Sequence, residues 1–507
     1  MQTTHITQQK ESILKGLNTV ADAVASTMGA KGKTVIIGSN DNKAPLRFTK
    51  DGVSVAKAIN LPDPIENIGA QLVISAANKT VEETGDGTSL TSIFLQTMIQ
   101  TTIKILKKES NVNKVLIELE NAVNKVIKSL QEKSIKVETI NDIYNIANVS
   151  SNSEQIGELF KNIYTETKSF NSLLNLEKSE NFTKTYYELT KGLEFEDSGY
   201  IHPAFMTNRN TEQIIYENAF VYITDQPVKT NNKYIEQLIE KVAIQNTTPL
   251  IIIAPKFGEG IKRTCIMNKV NNDIPVALLK LPGYGYGIKK NLEDLYSFLT
   301  PLDGSDSTSR GGMVDKIIAS AYSFTLMNEN TPYLEQRINQ LKELSQSAIE
   351  HYDQKDYNKR LHNLQGSSVL IFAGGQTPEA QSEEYDRIED AIGAVNTALK
   401  GGYVVGGGKE LLNQFEKCDN LILCDVLLRP IEQILKNANC DPDKFSEYLN
   451  LPNIGFNAKT LEDVDLLKEG IIDPTITLIT ALKNALSNTK LFINSSYVLF
   501  NTYKNSI

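Results

Sequence analysis

Three short turns rich in glycine and aspartate carry the residue types that bind phosphate. They are 27–32 (TMGAKG), 50–54 (KDGVS) and 85–89 (GDGTS), and the third directly opens a helical stretch. Glycines let backbone N–H groups approach an anion, and a helix N-terminus adds unpaired N–H groups and a positive dipole end. An aspartate beside such a turn can hold Mg²⁺, which prefers carboxylate and phosphate oxygens. The three turns are therefore candidates for a nucleotide phosphate site.

Each turn taken alone also fits a purely structural role. The first can be a helix C-cap with an exposed lysine, and the third an N-cap flanked by glycines. The Walker A pattern GxxxxGK[ST] is absent. Weaker signals follow at 389–390 (ED), 406–408 (GGG) and 471–475 (IIDPT), and none of them is decisive in isolation.

Hydrophobic periodicity predicts the elements that must position these turns. Helices are predicted over 11–27, 66–83, 88–107, 111–132, 231–245 and 259–271, and strands over 34–38, 220–224, 249–254 and 274–281. Residues 332–365 read as a helical hairpin, and long helices return after 385. The order helical, α/β, helical predicts an α+β multidomain fold in which an α/β domain is inserted into a helical one.

Composition excludes several classes of function. The chain has 507 residues, with 52 Lys+Arg against 61 Asp+Glu, so no excess of positive charge is available for nucleic acid. No apolar run approaches the ~20 residues that span a bilayer, and the polar N-terminal segment lacks the apolar core of a signal peptide. Four cysteines form no CxxC pair, which fits a reducing cytoplasm. The four histidines are scattered, which argues against a Ser-His-Asp or metal-histidine site.

Taken in order, the motifs resemble the group I chaperonins, the GroEL family. The matching segments are KDGVSVAKAI (50–59), IGAQLV (68–73), TGDGTS (84–89), GLEFEDSGYIHPAF (192–205), RIEDAIGAV (387–395), YVVGGGKELL (403–412), IGFNA (454–458) and GIIDPT (470–475). They cover most of the chain in family order. The sequence resembles a divergent member of this family, and a phage-encoded version is consistent with that divergence.

The resemblance implies a chaperonin fold with three domains. They are a mainly helical equatorial domain (1–132 and 401–507), a small intermediate domain (133–190 and 368–400) and an α/β apical domain (191–367). The implied function is an ATP-dependent chaperonin, an ATP hydrolase that binds nonnative polypeptides and folds them through domain motions. An ATP-independent holdase ring is the alternative. A small-molecule kinase or phosphatase would need a second specific pocket, for which no His or Cys cluster is present.

The resemblance also assigns roles to the residues of the three turns. Asp390 matches the carboxylate that orients the attacking water, Asp51 assists near the γ-phosphate, and Asp86 matches the Mg²⁺ ligand. ATP and Mg²⁺ are the implied ligands, with K⁺ as an optional second cation. The implied nucleotide-binding residues are Thr27, Met28, Gly29, Lys31, Lys50, Gly85, Asp86, Gly87, Thr88, Ser89, Gly406, Gly407, Phe456, Asn457, Ala458 and Asp473. Because all three aspartates are present, we expect ATP hydrolysis to be retained.

Substrate binding is implied at an apolar groove between two apical helices. The implied contacts are Tyr200, Phe205, Leu238, Ile239, Ile266 and Met267. All of these except Leu238 are expected to be exposed, although about half of the apolar residues on these helices fit a core role equally well. Glu236, Lys262 and Ala204 replace usual apolar residues, so the groove is expected to be less apolar than in the family.

The ring surface departs furthest from the family pattern. The family forms seven-membered rings, and here Lys107, Lys108 and Glu109, with Glu432 and Asp443, stand where two rings would stack. Like charges facing each other oppose association, so we expect a single seven-membered ring, with a compensated double ring as the alternative. The need for a co-chaperonin lid stays open. The expected location is the cytoplasm, or the host cytoplasm for a viral version, with neither nucleic-acid nor membrane partners.

Overall fold

A computed structural model describes most of the chain. The described residues are 2–38, 47–109, 111–167, 170, 172–179, 184–196, 198–209, 211–229, 233–245, 248–283, 286–300, 311–329, 331–347, 354, 356, 357, 360, 361, 363, 364 and 367–500. The chain divides into two units. The first comprises Met1–Glu166, Leu176–Tyr186 and Phe372–Ile507, and the second comprises Thr167–Asn175 and Tyr187–Ile371. The finer division into three domains stays a prediction.

The N-terminal part of the chain is mainly helical. Its elements are β1 (Gln2–His5), α1 (Ile6–Ala25), β2 (Val35–Ile37), β3 (Arg47–Thr49), α2 (Gly52–Ala58), α3 (Pro64–Thr84), α4 (Thr88–Leu106), α5 (Val112–Lys133), α6 (Ile140–Ser151) and α7 (Glu154–Thr167). The helices predicted over 11–27, 66–83, 88–107 and 111–132 are confirmed as α1, α3, α4 and α5. The first begins earlier than predicted because the polar segment before Glu11 also folds into the helix.

The middle of the chain alternates strands and helices. Its elements are β4 (Leu173–Lys178), β5 (Tyr186–Glu196), β6 (Ile214–Ile223), α8 (Lys233–Gln245), β7 (Leu250–Ala254), α9 (Glu259–Asn272), β8 (Val276–Lys280), α10 (Tyr286–Phe298), β9 (Gly311–Ala319), β10 (Ser323–Met327), α11 (Leu334–Ser347) and β11 (Ser367–Ala373). The hairpin predicted over 332–365 begins as α11, and much of its second half lies outside the described residues.

The C-terminal part returns to long helices. Its elements are α12 (Pro378–Gly401), β12 (Tyr403–Val405), α13 (Lys409–Phe415), α14 (Leu421–Asn437), β13 (Ile454–Asn457), β14 (Glu462–Asp465), β15 (Ile472–Pro474), α15 (Thr475–Asn494) and β16 (Tyr497–Phe500). Strands β1 and β16 pair antiparallel, with Gln2 opposite Phe500. Both ends of the described chain therefore belong to the first unit.

Close helix packing forms the core of the first unit. Helices α1, α3, α4, α5, α14 and α15 supply the buried apolar side chains, among them Leu17, Phe94 and Leu119. Helices α1 and α3 approach so closely that a Cβ on Gly69 would lie 1.9 Å from the carbonyl oxygen of Ile13. This packing fixes the end of α1 and the beginning of α4, where two of the glycine turns lie.

A twisted sheet forms the core of the second unit. Six of its strands run consecutively in the order β5-β10-β9-β6-β7-β8, with β6, β7 and β8 parallel to one another. Leu250–Ala254 is completely buried, as expected for a central parallel strand covered on both faces. Within the described residues, no helix is both long and apolar enough to cross a membrane.

Candidate active site

A cavity of about 640 Å³ in the first unit brings the predicted turns together. Its lining comes from the end of α1, the beginnings of α2 and α4, the middle of α12 and the strands β13 and β15. The predicted residues that line it are Thr27, Met28, Gly29, Lys50, Asp51, Asp86, Gly87, Thr88, Ser89, Asp390, Gly407, Phe456, Asn457, Ala458 and Asp473. Segments more than 400 residues apart in sequence thus meet at one site.

Three predicted nucleotide-binding residues do not line this cavity. The side chain of Lys31 is exposed to solvent. Gly85 is packed against another backbone segment, and the backbone N–H of Gly406 donates to the carbonyl oxygen of Ile471 at 2.9 Å. Gly85 and Gly406 therefore shape the backbone behind the lining, and a role for Lys31 in nucleotide binding stays a prediction.

The first turn is held in place by close backbone packing and by α14. A Cβ on Gly32 would lie 1.9 Å from the carbonyl oxygen of Thr27, so only glycine fits there. Asn437, on α14, donates its side-chain N–H groups to the carbonyl oxygens of Ala25 at 3.0 Å and Met28 at 2.8 Å. With these carbonyl oxygens bonded behind the turn, the lining at Thr27–Gly29 is preorganised rather than mobile.

The second turn places Asp51 as the N-cap of α2. Its Oδ1 accepts from the backbone N–H of Val53 at 2.9 Å, and its Oδ2 accepts from that of Ser54 at 2.7 Å. The Asp51 N–H in turn donates to Thr49 Oγ1 at 3.0 Å. The structural role considered for such turns is therefore present here, and it fixes the carboxylate beside the cavity.

The third turn depends on two glycines in the left-handed region. Gly85 has φ 70° and Gly87 has φ 97°, which residues with a Cβ rarely adopt. Between them, Asp86 accepts hydrogen bonds from the backbone N–H of Gly87 and from Ser150 Oγ, the latter at 3.3 Å. Helix α4 begins at Thr88, so its unpaired N–H groups lie at the site.

Helix α12 brings Asp390 to this turn through a glycine–glycine contact. A Cβ on Gly393 would lie 2.6 Å from the Cα of Gly85, so the two backbones touch without side chains between them. One turn further on, Thr397 Oγ1 donates to the carbonyl oxygen of Thr84 at 2.8 Å. Asp390 and Gly393 lie on one helix face at i and i+3, so this contact directs Asp390 toward the cavity.

Burial and mutual repulsion raise the pKa values of the carboxyl groups. Burial is the main cause at Asp390, whose pKa lies well above its ordinary value, and the charges of Asp86 and Asp51 add to it. Burial also raises the pKa of Asp86, partly offset by its hydrogen bonds. Burial and the charge of Asp86 raise the pKa of Asp473 to about 6, against the hydrogen bond from Gly407 N–H. The cavity is therefore poised to accept positive charge.

The donor set fits a nucleotide-bound Mg²⁺ better than a metal held by protein alone. Among the described residues, no group of three or more His, Cys, Asp or Glu side chains could hold a metal ion. Mg²⁺ usually keeps waters and binds through one or two carboxylates plus substrate phosphates, which matches Asp86 beside a phosphate-binding turn. The buried hydroxyl of Thr477, also in the lining, has no hydrogen-bond partner within the described part of the chain.

The other end of the cavity is apolar. Phe456 is buried together with Ile434 in a small cluster between α14 and β13. Leu411, Pro430 and Ile471 complete this side of the lining. Flat aromatic ligands such as a purine base bury well against surfaces of this kind.

One polar segment of the lining was not predicted from sequence. The end of α6 contributes Asn145, Asn148, Ser150 and Asn152, and Asn152 ends the helix in the left-handed region with φ 51°. The run NVSSN at 148–152 was a local signal, since Asn and Ser favour helix ends and turns. Nothing local connects it with the turn at Asp86.

The second unit carries the residues predicted to bind substrate, and the expected exposure is wrong for two of them. Phe205 and Ile239 are fully or nearly fully buried, because both pack into the core of the sheet. Tyr200, Leu238 and Ile266 are half-buried.

Met267 is the strongly exposed member of the predicted set, with 54% of its surface accessible. Nearby in sequence on α8 and α9, further large apolar side chains are exposed. They are Tyr234, Ile244 and Val270. Each helix therefore presents apolar surface to solvent in addition to its core face.

The charges predicted to face a second ring are exposed or locally paired. Lys107 and Lys108 are exposed at the end of α4, and Asp443 is exposed as well. Glu432 pairs with Arg429 at 3.3 Å on α14, so its charge is partly compensated within the chain.

The fold and this site define a class of protein, and comparisons with known proteins agree. The sequence profile of the TCP-1/cpn60 chaperonin family matches residues 20–253. The chaperonin GroEL of Orientia tsutsugamushi (strain Boryong) is 33% identical, over 98% of this chain and 94% of its own length. That of Onion yellows phytoplasma (strain OY-M) is 32% identical, over 98% of this chain and 96% of its own length.

A solved structure shares the whole fold. The chaperonin gp146 from the bacteriophage EL 2 (Pseudomonas aeruginosa), crystallised in the presence of ATP-BeFx, superposes with a TM-score of 0.73. The match covers 99% of this chain and 100% of that one at 22% identity. The chain belongs to the TCP-1/cpn60 chaperonin family, as a divergent group I chaperonin. The predicted multidomain α+β chaperonin fold is thereby confirmed.

Proposed function

We propose that this chaperonin hydrolyses ATP and uses the hydrolysis to drive the folding of nonnative polypeptides. The observation that carries the proposal is that Asp51, Asp86 and Asp390 line one cavity, to which all three glycine turns contribute. Phosphoryl transfer to water needs positioning and charge neutralisation and little covalent chemistry from the protein. Three carboxylates on three separate elements, together with the N-terminus of α4, suit that requirement.

Different residues along the cavity bind different parts of the nucleotide. The apolar end at Phe456 takes the purine, and the N–H groups and hydroxyls of Thr88 and Ser89 bind phosphate oxygens. Asp86 holds Mg²⁺, which when bound neutralises charge on the phosphates. Asp390 orients the attacking water and accepts its proton, and Asp51 supports the γ-phosphate end. Burial, together with the charges of Asp86 and Asp51, raises the pKa of Asp390 above its ordinary value, which makes it a stronger proton acceptor.

Nonnative chains would bind the exposed apolar side chains of α8 and α9. Met267 supports this assignment, because a flexible thioether adapts to varied partners. Tyr234, Ile244 and Val270 widen the apolar surface beyond the predicted set. Exposed apolar side chains recurring on two neighbouring helices of the sequence are the kind of surface that binding sites for unfolded chains require.

The test is to measure ATP turnover and client refolding together, for the wild type and Asp390→Ala. We expect Asp390→Ala to bind Mg-ATP and to lose at least about 100-fold in turnover, because the water is no longer oriented. Refolding yield should fall with it. A yield that survives the loss of turnover would favour the alternative, an ATP-independent holdase that prevents aggregation. A wild type without turnover would refute the ATPase assignment.

Native mass tests the proposed seven-membered ring. Seven copies of 56.3 kDa give about 394 kDa and fourteen give about 788 kDa. A mass near the smaller value, with and without Mg-ATP, supports the charged surface at Lys107 and Lys108 as a barrier to stacking. A mass near the larger value means that these charges find partners across rings. A monomer under both conditions would contradict the ring, and added co-chaperonin tests whether a lid is needed.

A further inference from the structure

An ion pair joins α12 to the β2–β3 hairpin close to Asp390. Arg47 Nη2, on β3, lies 3.0 Å from Asp386 Oδ2 on α12. The same nitrogen donates to Ser54 Oγ at 2.8 Å, on the helix that Asp51 caps. Arg47 therefore bridges the two elements that carry Asp51 and Asp390.

The position of this pair along α12 matters more than its strength. Asp386, Asp390 and Gly393 stand at i, i+4 and i+7, so all three lie on one face of the helix. On the C-terminal side of Asp390, the contact between Gly393 and Gly85 fixes the helix. On its N-terminal side, one turn away, the fixed point is the pair of Asp386 with Arg47. Asp390 lies between two anchors.

The Ser54 contact continues the connection to the second carboxylate. The backbone N–H of Ser54 donates to Asp51 Oδ2 at 2.7 Å. A continuous chain of contacts thus runs from Asp51 through Ser54 and Arg47 to Asp386. Displacing Arg47 would loosen the distance between the two catalytic elements without removing any group from the cavity lining, because Arg47 is not part of that lining, whereas Asp386 is.

We propose that Arg47 and Asp386 are a positioning pair for ATP hydrolysis, holding the carboxylate of Asp390 at its working distance from the phosphate turns. This inference rests on the proposed ATPase function and adds to it a determinant of the chemical step. The pair acts through Asp390, and Arg47 itself touches no reacting atom.

Two simpler interpretations of the pair make different predictions. As an exposed ion pair, with Arg47 48% and Asp386 21% accessible, it would stabilise the fold slightly and leave catalysis unchanged. As an electrostatic device, Arg47 would offset the negative charge of the cavity and assist nucleotide binding. The first interpretation predicts no kinetic effect, and the second predicts changes in KM.

The experiment compares Arg47→Met, Asp386→Asn and the charge-swapped double variant Arg47→Asp with Asp386→Arg. Steady-state kcat and KM for Mg-ATP are measured on the assembled protein. A positioning role predicts that each single variant lowers kcat about three- to tenfold with KM within about twofold of the wild type. The double variant should recover at least half of the lost kcat. Asp386→Asn keeps the size and an acceptor oxygen but also removes a negative charge from the cavity lining, so its loss of kcat supports positioning only where the charge-swapped double variant restores kcat.

Lys490→Met is the matched control. Lys490 forms an inter-helix ion pair of the same exposed kind with Glu120, at 3.0 Å, away from the cavity lining. We expect its kcat to stay within about twofold of the wild type, since surface pairs contribute little.

Three outcomes would overturn the positioning role. The first is unchanged kcat in both single variants, and the second is a kcat loss of the same size in Lys490→Met. The third is KM moving in opposite directions in Arg47→Met and Asp386→Asn with kcat constant, which would assign the pair to charge balance. A wild type that fails to hydrolyse ATP refutes the proposed function instead, and it does so before any variant is compared.

Discussion

Replacing Gly393 by alanine should uncouple Asp390 from the phosphate turns. The new methyl group would lie 2.6 Å from Gly85 Cα and 2.7 Å from its carbonyl carbon and oxygen. These are backbone atoms, so no side chain can rotate away. Reaching the 3.4 Å of ordinary van der Waals contact moves α12 away by about 0.8 Å at that point. Asp390 is three residues away on the same face and must move with the helix.

The displacement sets the expected magnitude. A shift of about 1 Å in a positioned catalytic group can cost about 100-fold in rate, so we expect kcat to fall about 10- to 100-fold. Overpacking of this kind also costs about 1–3 kcal/mol of stability. The assay is single-turnover hydrolysis of Mg-ATP with binding measured separately, because only the chemical step should change.

A matched control separates displacement from the general effect of replacing a helical glycine. Gly287, near the beginning of α10, has nothing within 4 Å of an added Cβ. Gly287→Ala should leave kcat unchanged and stabilise the protein slightly, by about 0.4–1 kcal/mol. A Gly393→Ala variant whose single-turnover rate stays within twofold of the wild type would refute the claim that the glycine contact positions Asp390.

Three further predictions follow from other sites. Asp473→Asn should stabilise the nucleotide-free protein by up to about 3 kcal/mol at pH 8, and not at pH 4. The pKa of Asp473 is raised from 3.8 to about 6, so the free-energy cost of ionising it in the folded protein is absent below pH 3.8 and complete above pH 6. Urea unfolding at the two pH values measures this difference. Asp294→Ala should destabilise the second unit by about 3–5 kcal/mol, because it leaves the buried Arg337 guanidinium, 2.9 Å away, without this partner. Hydrogen exchange should locate that loss in the second unit. Met267→Ser should weaken capture of an unfolded client, measured by suppression of its aggregation, while ATP turnover stays within about twofold.

The turns of the site were predictable because their residues are constrained locally. Gly85 and Gly87 occupy backbone conformations that glycine favours, and the aspartate between them is fixed by the same geometry. Five consecutive residues, 85–89 (GDGTS), are therefore enough to predict this turn from sequence. Helix α5 was predictable for a related reason, since the periodic apolar face that runs from Val115 to Leu130 does not depend on distant partners.

Contacts made by tertiary approach were not predictable. Arg47 and Asp386 are 339 positions apart in sequence, and the residues next to either of them do not indicate that the two form an ion pair. The burial of Ile239 shows a second limit. Its helix carries apolar residues on a face broad enough for both core and surface, and periodicity cannot tell which of them the sheet covers. Phe205 is likewise buried in the core of the second unit, as Phe often is, and its local sequence does not indicate which elements cover it.

The excess of negative charge in the cavity predicts whether it binds free nucleotide or the metal–nucleotide complex. Eight aspartates and glutamates but three lysines and arginines line it, and two of the three cations already pair with neighbouring glutamates. A free nucleoside triphosphate would bring further negative charge beside Asp86, Asp390 and Asp51, where burial and the neighbouring carboxylates already raise the pKa of Asp390. Adding negative charge to this buried, negatively charged site costs more free energy than the N–H groups at the beginning of α4 recover by binding the phosphates. When the triphosphate carries a bound divalent cation, its electrostatic interaction with the Asp86 carboxylate changes from repulsive to attractive. If the cavity binds nucleotide as proposed, we therefore expect it to favour the metal–nucleotide complex, so that affinity for nucleotide rises steeply with free Mg²⁺ and loses that dependence in Asp86→Asn.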